Sequence, residues 1–355
     1  MNADTIQSDV VTDAKGAEPR TSPGRGVSSG VMSRSPCDEE TLAFLTLAAI
    51  RGVGHKTLTE IAEQGHSFAE ILATGPGEKL PLARRFSPAG KPSADWTALR
   101  TDASERAQRM ADLLRDMSVK LIFRSDPRFP AALTDLERPP HWLFVQGSFA
   151  ALNRSAIAIV GTRRPSDDGL FLARYVGACL QDWGAATVSG LAAGIDQLAH
   201  ESSLRAEVPT VAVLGTGILD NYPRGSDLMR ERILTAGGAI ISEYLPRASY
   251  SADNFVQRNR LQAALGRVLI PVEWARRSGT AHTVRFASKL GRPVATLRLA
   301  DWPHDRVVLE PGVGAETGEI FTLPRQHDAF SAFIGASIGS VVAPVAGQLS
   351  LFGED

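Results

Sequence analysis

An apolar strand and a helix are joined at Val188-Ser189-Gly190-Leu191-Ala192-Ala193-Gly194-Ile195-Asp196, with His200 one helical turn further on. Few Cβ atoms here would obstruct a ligand approaching the main chain. The first N–H groups of a helix are unpaired and point outward, a setting that favours an anion such as phosphate. Ser189, Gly190 and Gly194 are therefore candidate phosphate-binding positions. Gly161-Thr162-Arg163-Arg164 follows another apolar run; it offers an amide, a hydroxyl and guanidinium forks together, a set suited to a phosphate diester. Arg258-Asn259-Arg260 places two guanidinium groups and an amide near a predicted helix start, as a phosphate clamp. Ser278-Gly279-Thr280 enters a further helix beside Arg276 and Arg277. Phe255, Tyr222 and Tyr244 are candidates for stacking on unpaired bases.

Other chemistries find less support. Gly215-Thr216-Gly217 starts like a dinucleotide fingerprint, but the third glycine is missing and Tyr222-Pro223 interrupts the helix, which argues against NAD. The phosphate loop of ATPases, Gly-x-x-x-x-Gly-Lys-Ser/Thr, does not occur. The seven histidines and two cysteines show no metal-ligand spacing. Asp196 and His200 share a helix face and read as a surface or capping pair rather than a dyad. No catalytic residue, cofactor or metal is expected.

The elements that must position these residues alternate. Strands are predicted near 156–160, 185–188, 210–214, 238–242, 267–272 and 293–297, and helices at 168–182, 194–206, 225–236, 254–265 and 279–290. That alternation predicts an α/β fold with a doubly wound, mostly parallel, Rossmann-like sheet. Its ligands bind at the carboxyl ends of the strands, where all the motifs above fall. Residues 1–38, rich in Ser, Gly, Pro and charge, read as a disordered tail. Residues 39–95 read as a small helical domain and linker, residues 96–303 as the Rossmann-like domain, and residues 304–355 as a second tail. Within 42–72, two helices flank Arg51-Gly52-Val53-Gly54-His55-Lys56-Thr57, the pattern of a helix-hairpin-helix whose turn amides can hold a phosphate.

The formal net charge is −1, but residues 151–300 hold 18 Lys/Arg against 12 Asp/Glu. The basic excess thus coincides with the glycine turns, as a polyanion-binding surface requires. Two cysteines, Cys37 and Cys179, cannot form a disulfide framework and suit a reducing cytoplasm. Residues 329–353 carry no charge, yet Gly335, Gly339, Pro344 and Gly347 make them a poor membrane span. They read as an uncharged spacer.

Gly161-Thr-Arg, Ser189-Gly-x-Ala-x-Gly-Ile-Asp196, Ala199-His200, Val211-Ala-Val-Leu-Gly215, Tyr222-Pro223, Ser242-Glu-Tyr244, Arg258-Asn-Arg260 and Ser278-Gly-Thr280 together resemble the DprA/Smf DNA-processing family over about 120–300. The resemblance implies an extended Rossmann-like fold that binds single-stranded DNA in a basic pocket. It also implies a homodimer, loading of a RecA-type recombinase during natural transformation, and no catalysis. Departures are Val256-Gln257 before the arginines, Gln262-Ala-Ala in place of a more aliphatic run, and the absence of an evident winged helix after 300. Gln348-Leu349-Ser350-Leu351-Phe352 resembles the short peptide that docks bacterial DNA-handling proteins on the replication sliding clamp, with Leu349, Leu351 and Phe352 as apolar anchors and Gln348 as the polar edge. The alternative class is a nucleotide-binding sensor or nucleotide-processing enzyme on the same fold, with Glu243 or Asp196 as acid/base.

Overall fold

The computed structural model describes residues 36–74, 96–307, 309, 313 and 316–339, which belong to one compact unit. Residues 1–35, most of the first predicted tail, lie outside the described residues. So does the peptide at Gln348–Phe352.

Helices α1 (Pro36–Ala49), α2 (His55–Glu63), α3 (Phe68–Thr74) and α4 (Trp96–Asp116) come first. Phe44, Leu58, Ile61 and Phe68 bury their side chains against Trp142 and Phe144 of the sheet. The helical segment therefore shares a core with the sheet. Glu40 fastens it internally, its carboxylate accepting from the N–H groups of Phe68 (2.7 Å) and Ala69 (3.0 Å) at the start of α3.

Among the described residues the sheet has nine strands: β1 (Val119–Phe123), β2 (Trp142–Gly147), β3 (Ala156–Val160), β4 (Ala186–Ser189), β5 (Thr210–Val213), β6 (Ala239–Ser242), β7 (Gly266–Pro271), β8 (Val294–Leu299) and β9 (Gly318–Leu323). Their spatial order is β1-β2-β6-β5-β4-β3-β7-β8-β9. The seven from β3 onward run parallel, whereas β2 pairs antiparallel with both β6 and β1. From β3 the chain winds outward to β6, then returns to β7 on the other side and winds to β9. This is the doubly wound arrangement, with its reversal between β3 and β7. Every residue of β3 is buried, which accounts for its unbroken apolar run.

Helices α5 (Asp167–Trp183), α6 (Ile195–Arg205), α7 (Asp227–Thr235), α8 (Ala252–Leu265) and α9 (Gly279–Lys289) connect the parallel strands. Ser166, Ser251 and Ser278 cap α5, α8 and α9, each hydroxyl accepting an N–H from three residues on. The region from 304, expected as a tail, instead carries β9 and a final helix α10 (His327–Ile338). β9 pairs with β8 from Val294↔Gly318 to Leu299↔Leu323. α10 buries Phe330 and Ile334 against Trp183 and Phe321. The first part of the uncharged stretch lacks charge because it is core, and Gly339, at φ 76°, ends the helix. No helix among the described residues is long and apolar enough to cross a membrane.

Candidate functional site

The carboxyl ends of β3 and β7 open into a cleft of about 840 Å³. In an open α/β sheet this reversal is the place where ligands bind. Gly161–Arg164, leaving β3, form one wall, and Ser278–Thr280, entering α9, form another. Helix α8 contributes Phe255, Arg258, Asn259 and Gln262, spaced so that they share one face.

Arg163 and Arg164 are exposed. The guanidinium carbon of Arg163 lies 5.2 Å from the centre of the Phe255 ring. Phe255 packs on Tyr222 at 5.1 Å, and Tyr222 stacks on Tyr250 at 5.0 Å with 30° between the planes. Tyr250 is 61% exposed; the sequence reading missed it, although an aromatic beside the α8 cap Ser251 was there to be noticed. Tyr244 is not part of this cluster. It is buried, and its hydroxyl donates to the Asn254 carbonyl (2.9 Å).

The Ser189–Gly194 turn is occupied from within. Ser189 Oγ donates to the Ile159 carbonyl (2.7 Å), and the Gly190 N–H donates to the Asp196 carboxylate (3.1 Å). The Ile195 N–H donates to the Thr162 carbonyl (3.2 Å). Asp196 therefore fills the anion place at the start of α6. Packing explains the glycines: a Cβ on Gly190 would lie 2.3 Å from Arg258 Nη1. On Gly194, at φ 82°, a Cβ would lie 2.5 Å from the Thr162 carbonyl oxygen. The turn braces the cleft and presents Ala192 and Asp196 to it.

Arg258 and Arg260 do not grip one phosphate together. Both lie inside α8, not at its start, and residues two apart on a helix point roughly 200° away from each other. Arg258, 4% exposed, donates to the carbonyls of Gly190 (2.9 Å) and Val213, and through Nε to Asn259 Oδ1 (3.2 Å). Asn259 Nδ2 in turn donates to the Gly279 carbonyl (3.1 Å), tying α8 to α9. Arg260 faces away and holds Glu243 with two bonds of 2.6 Å. That pair lines a separate cavity of about 500 Å³ together with His55 and Trp142. The His55 ring is 5.1 Å from Trp142, and burial lowers its pKa. In the same turn, Arg51 and Lys56 stay exposed.

Asp196 and His200 are interior rather than surface groups. Burial pushes the Asp196 carboxyl up to about 6, against the opposing pull of Arg258. His200 Nδ1 pairs with Thr210 Oγ1 at 2.8 Å, and burial lowers its pKa to about 3. Glu243 and Asp196, the acid/base candidates of the nucleotide-enzyme reading, are each committed to internal partners.

The remaining predicted residues face the cleft. Thr162 Oγ1 accepts from the Arg164 N–H (3.2 Å) and orients that loop. Gly279 is exposed with open space where a Cβ would stand, whereas Thr280 is buried. A further group was not foreseen. Arg306 lies 3.6 Å over the Trp302 ring and pairs with Glu273 (3.3 Å) and Asp168 (3.5 Å), countering the carboxylates along that rim.

Residues 120–306 match the model of the family described as DNA recombination-mediator protein A. The protein Smf of Synechocystis is 38% identical over 176 residues, which cover 48% of this chain and 44% of the relative. The chain spans about half the length of the curated relatives it matches first. The X-ray structure of DNA processing protein A from Streptococcus pneumoniae superposes with a TM-score of 0.55 at 24% identity, over 82% of this chain and 97% of that one. DNA processing protein A from Helicobacter pylori, whose structure is described for its single-stranded DNA binding mode, gives 0.52 at 24% identity, over 62% and 97%. These structures share the fold.

Proposed function

We propose that this chain, which belongs to the DNA recombination-mediator protein A (DprA/Smf) family of DNA-processing proteins, binds single-stranded DNA in the cleft between β3 and β7. One observation carries the reading. Exposed Arg163 lies against Phe255, which continues into the Tyr222–Tyr250 stack, so a phosphate-binding fork and ring faces for unpaired bases share one mouth. The Gly161–Arg164 loop and the Ser278–Thr280 helix start supply the phosphate donors. The Ser189–Gly194 turn, Arg258 and Asn259 hold those walls in place. The basic excess of 151–300 and the binding mode described for the Helicobacter pylori protein support the same ligand.

The role is binding without catalysis, in the cytoplasm, as a homodimer that protects exposed single strands and hands them to a RecA-type recombinase. The peptide at Gln348–Phe352 docks the protein on the replication sliding clamp. A gel-shift comparing single- and double-stranded DNA tests the core of this reading: preference for the single strand is expected, and equal or absent binding overturns it. Recombinase and clamp pull-downs test the partners. Deleting 348–355 should abolish clamp capture while sparing DNA binding, and unchanged capture would end the clamp assignment.

A further inference from the structure

Gln262 lies at the floor of the cleft, one turn beyond Arg258 and Asn259 on the same face of α8. It is 1% exposed, and its Nε2 is buried with no hydrogen-bond partner. An unsatisfied buried donor costs about 1–3 kcal/mol, so such a group in a cleft marks a place where a ligand atom completes the bonding. Its neighbours hold their own partners: Asn259 bridges to Gly279, and Arg258 is spent on main-chain carbonyls. Gln262 is the uncommitted amide of this wall. The end left without a partner is the Nε2 donor, so the amide meets an occupant of the cleft as a donor.

We infer that Gln262 makes the floor of the cleft a base-selective subsite, where its carboxamide donates to a ring carbonyl of one unstacked nucleobase. The inference rests on the single-stranded DNA reading above. A phosphate is the poorer occupant, because the floor is shared with the apolar side chains of Val160 and Val272 and charge is costly to desolvate there. A base suits it, being flat and apolar on its faces and polar at its edge. Thymine presents carbonyl acceptors at its edge, whereas adenine has no carbonyl and its ring-nitrogen acceptor N7 stands beside an amino donor that a donor end does not match. Tyr222, Tyr250 and Phe255 at the mouth stack on any base, so selection falls to the floor.

The test is equilibrium binding of the full chain to oligo(dT) and oligo(dA) of equal length, for wild type and Gln262→Met, with Gln262→Leu as a second variant should the first fail to fold. Wild type is expected to prefer oligo(dT). The variant should lose about fivefold towards oligo(dT), roughly one neutral hydrogen bond, and change little towards oligo(dA). Its thermal midpoint should not fall, since an unpartnered donor has been removed. A wild type without base preference, a variant that keeps the preference, or equal losses on both oligomers would each overturn the subsite while leaving DNA binding standing. A wild type that binds neither oligomer overturns the DNA reading itself.

Discussion

Arg163 and Arg258 line the same cleft with different duties. Arg163 is exposed over Phe255, so Arg163→Ala should weaken single-strand binding by a similar factor for all sequences and lower the salt slope by about one phosphate's worth. Anisotropy titrations at several salt concentrations would measure both. Arg258 is internal, and truncating it leaves Asp196 buried beside an empty place. Arg258→Ala should cost about 3–5 kcal/mol in urea unfolding, with binding lost as a consequence of the loosened wall. Sequence reasoning recognised both arginines as belonging to the site but could not separate their roles, because residue type shows charge while burial decides what the charge faces. Arg260 was misassigned for the same reason.

Two buried groups set an acid response. The Asp196 pKa is raised to about 6, so the stability it contributes is full below its ordinary value of 3.8 and is lost as pH rises through 6. The His200 pKa is lowered to about 3, so its contribution is present above 6.5 and is lost as pH falls towards 3. Between pH 4 and 6 the slopes oppose one another, each at most about 1.4 kcal/mol per pH unit. Asp196→Asn removes one of them. Its unfolding free energy should fall more steeply than wild type on acidification from pH 6.5 to 4. Parallel curves for the two proteins would contradict this.

At the scale of elements, α8 carries most of the design. One face lines the cleft with Phe255, Arg258, Asn259 and Gln262, while Arg260 on the other side holds Glu243, just past β6. Glu243→Gln would leave that guanidinium without its anion in the interior. About 3–5 kcal/mol of stability should be lost, read as a shifted urea midpoint. An unchanged midpoint would show the pair to be idle. The strands and helices from β3 to β8 were legible to within a few residues, because alternating apolar runs and serine-capped helices leave strong local signals. β9 and α10 were not. A helix that carries no charge after Asp328 in its first turn resembles a spacer until the strand it packs against is seen. The close approach of Gly190 and Gly194 to other parts of the chain was likewise invisible, since it depends on contacts made between separate turns.

At the scale of the whole molecule, the chain is nearly neutral, but its central 150 residues are basic, and the strand order brings their arginine-bearing loops to one end of the sheet. A polymer of phosphates gains from such a surface in proportion to the charges it meets. On the function proposed above, the cleft holds a single strand rather than a free nucleotide. The salt dependence of single-stranded DNA affinity, with a mononucleotide titrated alongside, tests this most directly. If Arg163 and Arg164 each neutralise one phosphate, the logarithm of the binding constant should fall with the logarithm of salt with a slope of about −1.4, and the mononucleotide should bind weakly. A slope near zero with tight mononucleotide binding would contradict the account.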